Sequence, residues 1–82
     1  MKSINYTATA ARQRGKLASD VRARIDAKLF AFARHGGGDV KRLVGHPGAR
    51  LRIGDWRVVF VERDDEILVV AVGHRREIYD RS

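Results

Sequence analysis

Arg50, Arg52 and Arg57 stand around a Gly-Asp pair in the run Arg50-Leu51-Arg52-Ile53-Gly54-Asp55-Trp56-Arg57-Val58-Val59-Phe60. Gly-Asp between two alternating runs signals a tight hairpin, with Gly54 supplying the positive φ that the first central position of a type II′ turn requires. Such a turn sets Ile53 opposite Trp56, Arg52 opposite Arg57, Leu51 opposite Val58 and Arg50 opposite Val59. Period-two alternation then collects Leu51, Ile53, Trp56, Val58 and Phe60 on one face and the arginines on the other. Like charges directly opposite cost about 0.2–1 kcal/mol. Solvated guanidinium groups can splay apart and escape most of that cost. Three of them on one face point instead to an anion over the sheet, and the planar guanidinium fork suits phosphate.

The whole chain carries the same bias. Of its 17 basic residues 13 are arginine, and the formal net charge is +7. A surface this basic favours nucleic acid, an acidic protein partner, or both. At 82 residues the expectation is a single domain, residues 1–82. There is no cysteine, which excludes disulfides and thiolate metal sites and fits a reducing, cytoplasmic setting. No apolar run is long enough for a membrane helix, and the opening residues lack a signal-peptide core. His35, His46 and His74 have no spacing that supports a metal site, so neither metal nor cofactor is expected.

The elements that must position the arginines can be read in order. Residues 2–6 read as a first strand. Thr7 or Thr9 caps a helix running to about Lys16, and Ser19 or Asp20 caps a second to about His35. Val21, Ile25, Leu29 and Phe32 form the buried stripe of the second helix, and Gly36-Gly37-Gly38 ends it. Val40–Val44 reads as an edge strand, Gly45–Gly48 as a turn, and 49–53 with 56–62 as the hairpin. After a turn at Arg63–Glu66, residues 67–73 form an apolar inner strand. The fold class is α+β: an N-terminal strand, a helical hairpin, then a mainly antiparallel twisted sheet. Two helices cover only one face of such a sheet. Among Val59, Val61, Val70 and Val72 are residues that point away from them. That apolar surface beside the arginines fits a protein partner, or simply a small sheet showing some valine.

After the last strand comes Gly73-His74-Arg75-Arg76-Glu77-Ile78-Tyr79. Together with Arg50-x-Arg52-x-Gly54-Asp55-Trp56-Arg57 it resembles the RelE/ParE superfamily of bacterial type II toxin–antitoxin toxins, the RelE-like branch in particular. The resemblance spans nearly the whole chain and implies the RelE-like fold. RelE-like members cut messenger RNA in the ribosomal A site, whereas ParE-like members poison DNA gyrase without enzymatic activity. The resemblance therefore implies an mRNA endonuclease, with a gyrase inhibitor as the alternative. It implies a cognate antitoxin, mRNA and ribosome as partners, with operator DNA bound through the antitoxin. By motif it carries catalytic roles onto Arg57, Arg75 and Tyr79, and RNA contacts onto Arg50, Arg52, His74 and Arg76. Arg50 and Arg52 stand where relatives frequently carry lysine, and Ala49 where they often carry an aromatic residue. Arginine cannot act as a general base near neutrality.

The chemistry suits these residue types. RNA supplies its own nucleophile in the 2′-hydroxyl, and arginines can stabilise charge on the phosphoryl oxygens. Tyr79 would act as acid or base where surrounding arginines favour its phenolate, or would stack on the nucleotide. Histidine is a common proton carrier in such chemistry, and His74 also reads as an ordinary surface histidine at a strand end.

Overall fold

The computed structural model describes residues 2–78. The elements run β1 (Ser3–Tyr6), α1 (Ala8–Gly15), α2 (Ser19–His35), β2 (Asp39–Arg42), β3 (Ala49–Ile53), β4 (Trp56–Glu62) and β5 (Glu66–His74). The sheet order is β1-β5-β4-β3-β2, antiparallel throughout except where β1 runs parallel to β5. This is the expected α+β architecture, with the hairpin strands at their expected bounds.

The helices start differently from one another. Thr7 accepts from Ala10 N–H at 3.2 Å and so caps α1 as expected. Ser19 is already helical and the N-cap of α2 is Ala18, which makes no side-chain cap; Asp20 instead sits in the first turn, where a carboxylate opposes the helix dipole. Ile25 and Leu29 are fully buried, whereas Val21 and Phe32 are only partly so and Ala33 joins the core in their place. An ion pair ties the helices together, with Arg14 Nε donating to Asp26 Oδ1 at 2.9 Å. Arg14 also lies 5.6 Å from the centre of the Tyr6 ring, and burial followed by Asp26 raises the Tyr6 pKa, opposed by Arg14.

Two strands differ from expectation at their ends. β2 begins at Asp39 and closes at Arg42, because Leu43 N–H already turns to Gly48 C=O at 3.2 Å. Glu66 belongs to β5 rather than to the turn before it, since it pairs with Ser3 while accepting from Arg63 N–H at 2.7 Å.

A bulge in β5 decides which valines face the helices. Val59 pairs with Ala71 but Phe60 pairs with Val69, which leaves Val70 as the extra residue. The parity of the strand flips there. Ile67, Val69 and Val72 therefore all enter the core beside Val58 and Phe60, while Leu68 and Ala71 fall on the other face with Val59 and Val61. Phe60 anchors that core, with its ring 5.1 Å from that of Phe32.

One-sided coverage makes a sharp prediction. Phe60→Ala should cost about 3–5 kcal/mol in urea melts, whereas Val59→Ala, one residue away on the uncovered face, should cost under about 1 kcal/mol. Equal losses would mean that both faces are packed.

Candidate nucleic-acid interface

The turn between β3 and β4 has the expected geometry. Gly54 has φ +59° and no described non-glycine residue has positive φ, as a type II′ turn demands of its two central residues. The register follows, with Ile53 opposite Trp56, Arg52 opposite Arg57, Leu51 opposite Val58 and Arg50 opposite Val59. Leu51, Ile53 and Val58 are buried under the helices, so parity forces Arg50, Arg52 and Arg57 onto the uncovered face.

Neighbouring strands extend this basic surface. Lys41 pairs with Arg50 and Asp39 with Arg52, whose Nε lies 3.6 Å from Asp39 Oδ2. Arg57 folds toward the turn, where its Nη1 donates to the Gly54 carbonyl at 2.8 Å and to the Trp56 carbonyl at 2.9 Å. Arg75 follows β5; its backbone N–H donates to the Asp55 carbonyl at 2.8 Å, and its Nε lies 3.6 Å from Asp55 Oδ1. Both arginines are thus tied to one turn. Lost hydration, then the charges of Arg52, Arg50 and Arg75, lower the Arg57 pKa, with Asp55 opposing. Arg57 remains charged at neutral pH, and the like charges around it favour an anion over this face.

The other expected site residues divide. His74 pairs with Trp56 and meets it edge-on at 5.3 Å between ring centres, which places it on the helix side of the sheet, away from Arg52 and Arg57. Its Nδ1 accepts from Arg76 N–H at 3.2 Å, and Arg76 is exposed in the turn that follows β5. Tyr79 lies outside the described residues. Among those described, no three His, Cys, Asp or Glu side chains are grouped to hold a metal ion. No described helix is long and apolar enough to cross a membrane.

Three residues join the site that sequence patterning passed over. Lys41 is one, and alternation across the β2–β3 pair is the signal for it. Arg24 of α2 is another: a Cβ built at Gly54 would lie 3.9 Å from its Nη1, so this arginine reaches the turn from the helix side. Gly73 is the third. It pairs with Arg57, and a Cβ there would stand 3.1 Å from two side-chain carbons of Ile78, so glycine lets the turn after β5 fold back closely.

A five-stranded sheet covered on one face by two helices, with arginines gathered on the other, is the RelE fold. A family model for the ParE toxin of the type II toxin–antitoxin system parDE matches residues 4–79. The chain belongs to that family, within the RelE/ParE superfamily, and is a toxin of a toxin–antitoxin system. Among solved structures, the isolated E. coli RelE toxin superposes with a TM-score of 0.78 at 22% identity, covering 90% of this chain and 84% of that one. RelE in the RelB–RelE antitoxin–toxin complex of Methanococcus jannaschii gives 0.75 at 23%, covering 93% and 95%. The YoeB dimer of Staphylococcus aureus gives 0.75 at 18%, covering 90% and 97%. No curated protein matches the chain significantly.

If the arginine face is built for an anion, removing one of its charges should not weaken the fold. Arg57→Ala is expected to melt at or slightly above the wild-type temperature, and added phosphate should raise the wild-type midpoint more than that of the variant. A fall of several degrees in Arg57→Ala would make this residue a structural one.

Proposed function

We propose that this toxin is an endoribonuclease that cuts messenger RNA in the ribosomal A site without a metal ion. The convergence of Arg57 and Arg75 on one turn, with Arg50 and Arg52 on the adjoining strand, carries this reading. A phosphodiester placed there would meet guanidinium groups that are already oriented and whose mutual repulsion it relieves.

The reaction is an internal transfer. The 2′-oxygen bonds to phosphorus as the bond to the 5′-oxygen breaks, giving a 2′,3′-cyclic phosphate and a 5′-hydroxyl. Arg57 and Arg75 stabilise the added negative charge on the non-bridging oxygens, while Arg50 and Arg52 hold flanking phosphates. One proton must leave the 2′-hydroxyl and another must reach the 5′-oxygen. Tyr79, four residues beyond Arg75, takes a proton-transfer role in this scheme. His74 does not, because its ring packs against Trp56 on the far side of the sheet.

The apolar part of the same face suits a protein partner. Val59, Val61, Leu68 and Ala71 lie on the face with the arginines, opposite the one that the two described helices cover. An antitoxin segment with acidic and apolar side chains would complement both parts, and RelE of M. jannaschii is itself found with its antitoxin RelB. The pair would act in the cytoplasm and bind operator DNA through the antitoxin. The description of the matching family as parDE toxins favours one other reading, a non-enzymatic gyrase poison on the same scaffold.

Programmed ribosomes separate the two. Nuclease action should leave 2′,3′-cyclic or 3′-phosphate ends, persist after divalent chelation while ribosomes stay intact, and fail on 2′-deoxy or 2′-O-methyl sites. Tyr79→Phe should slow cleavage by about 10²–10⁴-fold if Tyr79 moves a proton, and hardly at all if it only stacks. Gyrase-trapped DNA breaks with intact mRNA would replace this reading with the gyrase poison.

A further inference from the structure

β2 is an outer strand of the sheet, and all of its residues are exposed. The direction of its backbone groups follows from the alternation of an antiparallel ladder. Leu43 N–H donates to the Gly48 carbonyl at 3.2 Å, one step past the pair of Arg42 with Ala49. Counting back by two, Lys41 with Arg50 and Asp39 with Arg52 are the pairs that exchange hydrogen bonds. The β3–β4 turn gives the same answer. Ile53 and Trp56 flank a two-residue loop and bond to each other, which leaves Arg50 and Arg52 to bond toward β2. The N–H and C=O of Val40 and Arg42 therefore point away from β3, along the open edge.

Open edges are commonly blunted by charge, proline or a bulge. β2 has no proline, and its pairing with β3 runs without a register shift. It does carry charge, but of both signs, and their order is informative. Asp39 and Lys41 lie on the uncovered face, opposite Arg52 and Arg50, while Val40 lies between them on the helix side, opposite Leu51. Lys41 has no acidic partner among the described residues and shares its face with the arginines.

We propose that this edge pairs antiparallel with the same edge of a second copy of the chain, centred on Val40. A two-fold axis there lets the outward N–H and C=O of each Val40 bond to those of the other. Asp39 then stands opposite the partner's Lys41, and Lys41 opposite the partner's Asp39. Both are positions without ladder hydrogen bonds, where cross-strand side chains come closest. The two exposed Val40 side chains meet on the helix side. Slipping the register while keeping the faces matched sets Lys41 against Lys41 in one direction and Asp39 against Asp39 in the other. Charge therefore selects a single register. The axis is perpendicular to the sheet, so the two arginine faces lie on the same side and form one continuous basic surface. A short edge buries little area, and the net charge of +7 on each copy opposes association, so the dimer belongs to the weak, transient class. The pairing does not depend on which target the toxin acts on.

Sedimentation velocity of the full chain, from roughly micromolar to millimolar concentration, should show a monomer passing to a dimer. Val40→Pro removes an N–H that the monomer does not use, so it should keep the fold yet stay monomeric. Asp39→Lys and Lys41→Asp should each weaken dimerisation by about tenfold or more, and the two combined should restore it. The chain has no cysteine, which makes Val40→Cys a clean reporter of register. Its Cα would lie about 5.5 Å from that of its mate, within disulfide range, and the pair should link under mild oxidation. Arg42→Cys, on the same face but four residues out of register with its mate at about 13 Å, should not link. A chain that stays monomeric throughout overturns the proposal. So does a dimer that survives Val40→Pro, or folded single reversals whose combination fails to restore pairing, since either assigns the contact to another surface. If Val40→Pro does not fold, the charge reversals and the two cysteine variants decide.

Discussion

The left-handed backbone at Gly54 fixes more of this molecule than any other local feature. A two-residue turn there sets the register of β3 against β4, and a slip of one residue would exchange every side chain between the two faces. With this register, Leu51, Ile53, Val58 and Phe60 go under the helices. Burying each such side chain contributes about 1.5–3 kcal/mol, against about 0.2–1 kcal/mol for setting Arg52 opposite Arg57. The core therefore wins, and the arginine cluster is held in place by burial on the opposite side. Arg57 is then steadied by the turn carbonyls, so its charge is oriented before any anion arrives.

Coverage on one side only is the second constraint. The helices are joined by the Arg14–Asp26 pair, and α1 is tied to β5 by Gln13 and by Thr7, whose backbone N–H donates to the Val69 carbonyl at 2.9 Å. The opposite face keeps its arginines and its short apolar stretch together. A partner laid across it could neutralise charge and bury valine in one contact, which is what the proposed antitoxin segment requires.

The chain made the hairpin legible because two signals agreed there, the Gly-Asp turn and strict alternation on both sides. The helix stripe and the inner strand were legible for the same reason of period. What escaped depends on events that alternation cannot express. The bulge at Val70 adds one residue and so sends Val72 into the core, although uninterrupted parity would place it elsewhere. The start of α2 at an uncapped Ala18 ran against side-chain capping preferences. His74 sat next to Arg75 in the motif, yet its register with Trp56 turns it to the other side of the sheet. Arg24 carries no mark of such a role in the helix pattern, and tertiary packing alone brings it to Gly54.

The central claim is that the uncovered face takes the backbone of single-stranded RNA through its arginines. The salt dependence of binding tests it most directly, using a 2′-O-methyl oligonucleotide that cannot be cut. For single strands the logarithm of affinity falls with the logarithm of salt by roughly 0.7 per neutralised phosphate. Arg57→Ala should therefore flatten the slope by roughly 0.7 relative to wild type, and Arg34→Ala, whose guanidinium lies over the exposed Phe30 ring of α2, should leave it unchanged. An identical slope in wild type and Arg57→Ala would contradict the account.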